Sequence, residues 1–208
     1  MRSMTRPRKQ IGWKAWLGIG LVGPLVAGVA LIPSNASDDV DPGDHGDHDH
    51  AAMTAGLQDD LARVRAATAK FHRVAAAKEA GYELGWVNGA GNRIVGACVK
   101  HPANASAMGF HYFNADLMRD HGVDPLRPEV LVYAPDEEGR LHLAAVEWVV
   151  LSAQSNPVGV STAPSVLGMP MHIIAPPPGP AFYLTHAWIW QTNPDGMFAD
   201  WNPEVSCG

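Results

Sequence analysis

Glu129 to Leu151 is the segment that leaves the fewest folds open. Two runs rich in β-forming residues, EVLVYAP and RLHLAAVEWVVL, flank the turn-forming Asp136-Glu137-Glu138-Gly139, a pattern that predicts a β-hairpin. Strict alternation in the second run puts Leu141, Leu143, Ala145, Glu147, Val149 and Leu151 on one face, with His142, Ala144, Val146, Trp148 and Val150 on the other. Both faces are apolar for most of their length, so this strand is expected at the centre of a sheet covered on both sides. Glu147 then stands alone among aliphatic neighbours. A carboxylate buried there requires a positive partner, a hydrogen-bond network or a metal ion, since otherwise it neutralises.

The rest of the domain is read around that hairpin. Leu57, Leu61, Val64, Ala67, Phe71 and Val74 recur at steps of three and four with polar residues between them, which predicts an amphipathic helix starting at Thr54 and stopped by Gly81. His72 flanks its apolar stripe as a surface residue. Tyr82 to Ser106 is rich in Gly and Asn and is expected to be irregular, with at most a short strand within 93–99. Gly109 to Phe113 reads as a strand with Phe110 and Tyr112 on one face and His111 and Phe113 on the other. Ser152 to Pro180 carries seven prolines and suits a long crossover. A last strand, Phe182 to Trp190, aligns Phe182, Leu184, His186, Trp188 and Trp190 against Tyr183, Thr185, Ala187 and Ile189. Asn193-Pro194-Asp195-Gly196 and Asn202-Pro203 predict two turns, between which Met197, Phe198 and Trp201 fold back over the sheet.

Charge and cysteine usage place the chain. Arg2, Arg6, Arg8, Lys9 and Lys14 precede the apolar run Ala15 to Ile32, which leads to Ser34-Asn35-Ala36, and no acidic residue occurs before Asp38. This predicts an export signal over residues 1–36, with an uncleaved membrane anchor as the alternative, and an extracytoplasmic or secreted location for the folded part. Beyond the signal, ten basic residues face twenty-one acidic ones, a formal net charge of −11. Such a balance excludes nucleic acid and leaves a membrane as partner only through the N-terminal segment. In an oxidising compartment Cys98 and Cys207, the only two cysteines, are expected to pair. Residues 37–53, SDDVDPGDHGDHDHAAM, show no apolar period and read as a disordered linker. Within it His45, His48 and His50 alternate with aspartates, a composition suited to weak capture of Zn²⁺ or Cu²⁺. The expected fold is α+β over residues 54–208: one long N-terminal amphipathic helix packed on a mostly antiparallel β-sheet, loop-rich and closed by one disulfide.

Three blocks, MGFHYFN (108–114), PEVLVYAP with GRLHLAAVEW (128–135 and 139–148) and HAWIWQTNPDGMFADWNPEVSC (186–207), together resemble a family of uncharacterised secreted bacterial proteins. The resemblance spans about residues 71 to 207. It implies an exported single domain with His111, Glu147, His186 and both cysteines at motif positions, and it implies no activity. Where the motif has Leu-His-x-Trp, this chain has Thr185-His186-Ala187-Trp188, which leaves burial of the face opposite His186 open.

Two functions follow. His111, Glu147 and His186, one on each of three strands, form a His₂-carboxylate set for zinc or copper if they converge on one side of the sheet, with an open position for water or substrate. Alternatively Trp148, Tyr183, Trp188 and Trp190 line an apolar cleft that binds a small apolar or aromatic ligand without catalysis. A nucleophilic hydrolase is disfavoured, because the chain lacks a G-x-S-x-G motif and the disulfide consumes both thiols.

Overall fold

The computed structural model describes residues 46–154, 159–175 and 179–208, with side chains from residue 55 onward. The predicted export segment 1–36, residues 37–45 of the predicted linker, and the side chains of His48 and His50 lie outside the described residues. In chain order the elements are α1 (Gly46–Thr68), a 3-10 turn (Ala69–Phe71), α2 (Val74–Glu79), β1 (Tyr82–Leu84), β2 (Trp86–Val87), β3 (Arg93–Ile94), β4 (Val99–Lys100) and β5 (Ala107–Asn114). There follow α3 (Leu117–Asp120), β6 (Val130–Pro135), β7 (Leu141–Leu151), β8 (Ser165–Val166), β9 (Met169–Pro170), β10 (His172–Ile174) and β11 (Phe182–Ala187).

Seven strands make one antiparallel sheet in the order β1-β5-β6-β7-β11-β10, with β4 beside the first half of β5 and β1 beside its second half. β7 is central, as its two apolar faces require. On one face Leu61, Val64, Phe71, Tyr133, Val146, Trp148 and Val150 pack together beneath the helices. On the other, Phe113, Val130, Val132, Ala145, Val149, Phe182 and Leu184 form a second core with Ile94 and Val205, which the β2–β3 ribbon and the C-terminal segment bring to it. Burying apolar surface on both faces drives the hairpin to the middle, since each fully buried aliphatic contributes about 1.5–3 kcal/mol.

The single long helix expected from Thr54 does not form. α1 begins at Gly46 and ends at Thr68, and the extended Arg73 separates the 3-10 turn from α2. Thr68 explains the break: it is fully buried, its hydroxyl donates to the Val64 carbonyl one turn back at 2.8 Å, and it accepts from Trp190 Nε1 at 3.1 Å. Such back-bonding competes with the helix and bends it. Leu57, Leu61, Val64, Phe71 and Val74 still face the core, while His72 is exposed and meets the edge of Trp190. Tyr82–Leu84 joins the sheet, contrary to the irregular structure expected there.

Strict alternation along β7 also fails, at one point. The register slips between Val132 and Tyr133 of β6, which pair with Ala145 and Leu143, so Ala144 is the extra residue of a bulge. Its carbonyl accepts from the Trp190 and Gln191 amides at 3.0 and 3.1 Å. Upstream of the bulge the phase reverses, and Leu143 joins Val146 and Trp148 on the helix side. Downstream, Glu147 keeps its expected face.

Gly109 allows β5 to reach β6. Its φ is +104°, and a Cβ there would sit 2.5 Å from the Tyr133 carbonyl oxygen, an approach open only to glycine. Gly109→Ala is expected to cost about 1–3 kcal/mol through strain and overpacking, read as a lower urea midpoint; an unchanged midpoint would show that β5 shifts freely.

The C-terminal segment is built on two asparagines. Asn193 Nδ2 donates to the Trp201 carbonyl at 2.9 Å and Asn202 Nδ2 to the Thr192 carbonyl at 3.0 Å, while their side-chain oxygens accept from the Asp195 and Glu204 amides within the predicted turns. Asn202 also bridges Ala107 of β5 by backbone bonds in both directions. The Cys98–Cys207 disulfide closes the segment as expected, a bond suited to an oxidising compartment. Among the described residues no helix is long and apolar enough to cross a membrane.

Candidate metal centre

β7 and β11 place Glu147 directly opposite His186. His111 comes from β5, two strands away from β7, and reaches across β6, whose inward residues on that face are Val130 and Val132. Their short side chains leave the path over the sheet open. The three side chains converge: His186 Nδ1 lies 2.9 Å and His111 Nε2 3.4 Å from the same oxygen, Glu147 Oε1. One ligand atom from each residue falls within 4.8 Å of the others, and all three residues are buried. The convergence on which the metal reading of these three residues is conditional is therefore present.

Proton positions follow from what each partner can accept. Burial raises the cost of charge on Glu147, but the charge of His111 and the hydrogen bonds and charge of His111 and His186 outweigh it and hold the carboxyl below its usual range. An ionised carboxylate only accepts, so His186 Nδ1 donates to it. His111 Nδ1 lies 3.2 Å from the Gly109 carbonyl, which also only accepts. A neutral His111 has one N–H for two acceptors, the Gly109 carbonyl at Nδ1 and Glu147 at Nε2. A second proton on the imidazole satisfies both, and so does the Nδ1–H tautomer with a metal ion between Nε2 and the carboxylate. His186 Nε2 is buried with no hydrogen-bond partner, an expense of about 1–3 kcal/mol that native cores rarely carry without a role. Phe113 stacks beside His111 and Trp188 tilts over His186, which hold the rings in place. Trp188 is itself fixed by its indole N–H to the Ala199 carbonyl at 2.6 Å.

His111 and Glu147 form part of the wall of a cavity of about 360 Å³, whose other lining is mostly apolar, including Met108, Val149, Phe182 and Leu184. Asp200 and Trp201 line it from the C-terminal segment. Asp200 Oδ2 pairs with His172 Nε2 at 3.2 Å, and its Oδ1 is buried without a partner. Neither Asp200 nor His172 stood out in the sequence, and no local pattern marks them; only the asparagine-tied return of the C-terminal segment brings Asp200 here.

The aromatic cleft does not assemble. Trp148 and Tyr183 are core residues of the helix-covered face, with Trp148 Nε1 donating to the Pro125 carbonyl at 3.3 Å. Trp188 lies on the opposite face. β11 ends at Ala187, so Trp190 leaves the strand's alternation and packs on the helix side, where it borders a shallow depression together with Trp188. The cavity beside the candidate metal centre is lined by none of the four. Thr185 is buried, so the face opposite His186 is closed despite the polar residue there.

A second buried carboxyl, missed in the sequence, is Glu129. Burial pushes it up to about 8, against the Val149 amide that donates to its Oε2 at 2.9 Å and with a contribution from Asp120 and Asp124. The folded state therefore holds a proton that the unfolded chain has released above about pH 4.5. Stability is expected to fall as pH rises from about 4.5 to about 8 and to level off beyond. Glu147 has the opposite sign, contributing stability above the ordinary carboxylate range that is lost on acidification. Urea melts at about pH 5 and about pH 8.5 check the first slope; Glu129→Gln should remove most of the difference, and an equal difference in that variant would place its origin elsewhere. No protein-family model matches the chain, and a match is found neither among curated proteins nor among solved structures.

Proposed function

We propose that the domain binds one divalent transition-metal ion, zinc or copper, through His111, Glu147 and His186, on the outer side of the cytoplasmic membrane. The observation that carries this reading is the convergence of three buried side chains, with His111 Nε2 3.4 Å and His186 Nδ1 2.9 Å from Glu147 Oε1. Ligand atoms about 2.0–2.1 Å from a tetrahedral ion lie roughly 3.3–3.4 Å from one another. The 3.4 Å between His111 Nε2 and Glu147 Oε1 therefore suits an ion between them. His186 Nδ1, at hydrogen-bond distance from that oxygen, joins the ion by giving up its proton. Two imidazoles and a carboxylate are a borderline-hard donor set, compatible with Zn²⁺ and Cu²⁺. His111 Nδ1 already faces the Gly109 carbonyl, the kind of backbone acceptor that fixes the tautomer of a metal-bound histidine. Three protein ligands leave a coordination position open. The disulfide agrees with the extracytoplasmic setting.

Elemental analysis of purified, tag-free full chain after metal repletion tests the reading. One equivalent of zinc or copper is expected, lost in His111→Ala and in His186→Ala and retained when His45, His48 and His50 are all changed to Ala. Metal that disappears only with the three linker histidines would transfer binding to that tract and refute the centre in the domain.

A further inference from the structure

The cavity beside the centre has the chemistry to select what reaches the ion. Among the side chains that line it, only His111, Glu147, Asp200 and the indole of Trp201 carry nitrogen or oxygen. The rest of the wall is aliphatic, aromatic or thioether. At about 30 Å³ per heavy atom, the share of a water molecule in the liquid, 360 Å³ corresponds to a guest of about twelve heavy atoms, at the small end of ligand sites. A divalent ion held by one carboxylate and two neutral imidazoles leaves a net charge of +1 at one end of this apolar space. An uncompensated charge in such surroundings is costly, and a monoanionic donor would cancel it.

Resting on the metal centre proposed above, we infer that the cavity takes a small apolar monoanion, an aromatic or short-chain aliphatic carboxylate, whose oxygen fills the open coordination position while its body lies against Met108, Val149, Phe182 and Leu184. Recognition is divided between two ends. The ion supplies the attraction for the carboxylate, and the walls supply the preference for an apolar body, at roughly 0.8 kcal/mol for each methylene removed from water. Asp200, from the C-terminal segment, closes part of the same space. Its unpartnered Oδ1 is an acceptor that a hydroxyl or N–H on the far end of the guest would satisfy, and it disfavours a second anionic group there.

The test uses full chain loaded with Co²⁺, whose visible bands report its ligands. Benzoate is expected to change the bound-cobalt bands at a concentration at least tenfold lower than acetate requires, and benzylammonium is expected to leave them unchanged. Ile174→Trp, which enlarges a part-buried residue of the cavity wall, should raise the benzoate requirement at least tenfold. It should leave the spectrum without benzoate as in the parent; if that variant does not fold, Val99→Phe on β4, also in the cavity wall, serves the same purpose. Bound-cobalt bands that respond equally to acetate and benzoate, or not at all to either, would overturn the inference while leaving the metal centre standing. Absence of bound-cobalt bands in the parent would refute the centre and the inference together.

Discussion

Glu147→Leu is expected to abolish stoichiometric metal binding and to destabilise the fold by about 3–5 kcal/mol, the range for removing one partner of a buried ionic network. The reason is geometric. Glu147 Oε1 is the one atom that His186 Nδ1, at 2.9 Å, and His111 Nε2, at 3.4 Å, both approach. Without it two buried imidazoles face each other in an apolar core, and His186 loses the partner of its only hydrogen-bonded nitrogen. A second expectation separates function from folding. If all three residues are changed to leucine, the unpartnered polar groups are gone, and most of the lost stability should return without any return of metal. Urea unfolding and elemental analysis of both variants read the two quantities independently. A Glu147→Leu protein that retains one equivalent of metal would refute the centre. A triple variant as unstable as the single one would show that the histidines hold the sheet by their shape rather than through the carboxylate.

Changing both Cys98 and Cys207 to Ser is expected to cost about 4–5 kcal/mol, because the bond closes a loop across 109 residues of sequence separation and restricts the unfolded chain accordingly. The effect on metal should be small. The three ligands stand on β5, β7 and β11, whose pairing does not pass through the disulfide. The C-terminal segment also keeps its Asn202 bridge to Ala107 and the Asn193 bond to Trp201. Chemical denaturation of the variant and its metal content check the two statements. A metal content that falls to zero at a denaturant concentration where the sheet is still folded would mean that the segment carrying Asp200 and Trp201 holds the ion.

The hairpin, the faces of β5 and β7 that carry His111 and Glu147, the inward position of His186 and the cysteine pair were legible from residue order alone. Alternation with period two is a local property of a strand, and a carboxylate or an imidazole in an apolar face stands out against it. The helix break was not legible, because Thr68 is an ordinary residue until Trp190, distant in sequence, arrives to bond its hydroxyl. Nor was the fate of the tryptophans. Trp188 and Trp190 share a face only while the strand continues, and β11 stops at Ala187: the Trp188 amide turns to the Met197 carbonyl, and the bulge carbonyl of Ala144 captures the Trp190 and Gln191 amides.

Residue order thus determined which side chains point inward and which compartment the cysteines suit, since both depend on near neighbours and composition. Whether His111, Glu147 and His186 would meet was set by strand order: β6, with two valines facing the site, lies between the strands that carry His111 and Glu147, and β11 pairs with β7 in the register that opposes His186 to Glu147. Strand order and register arise from burial over the whole sheet, a sum over distant pairs that no single stretch of sequence contains.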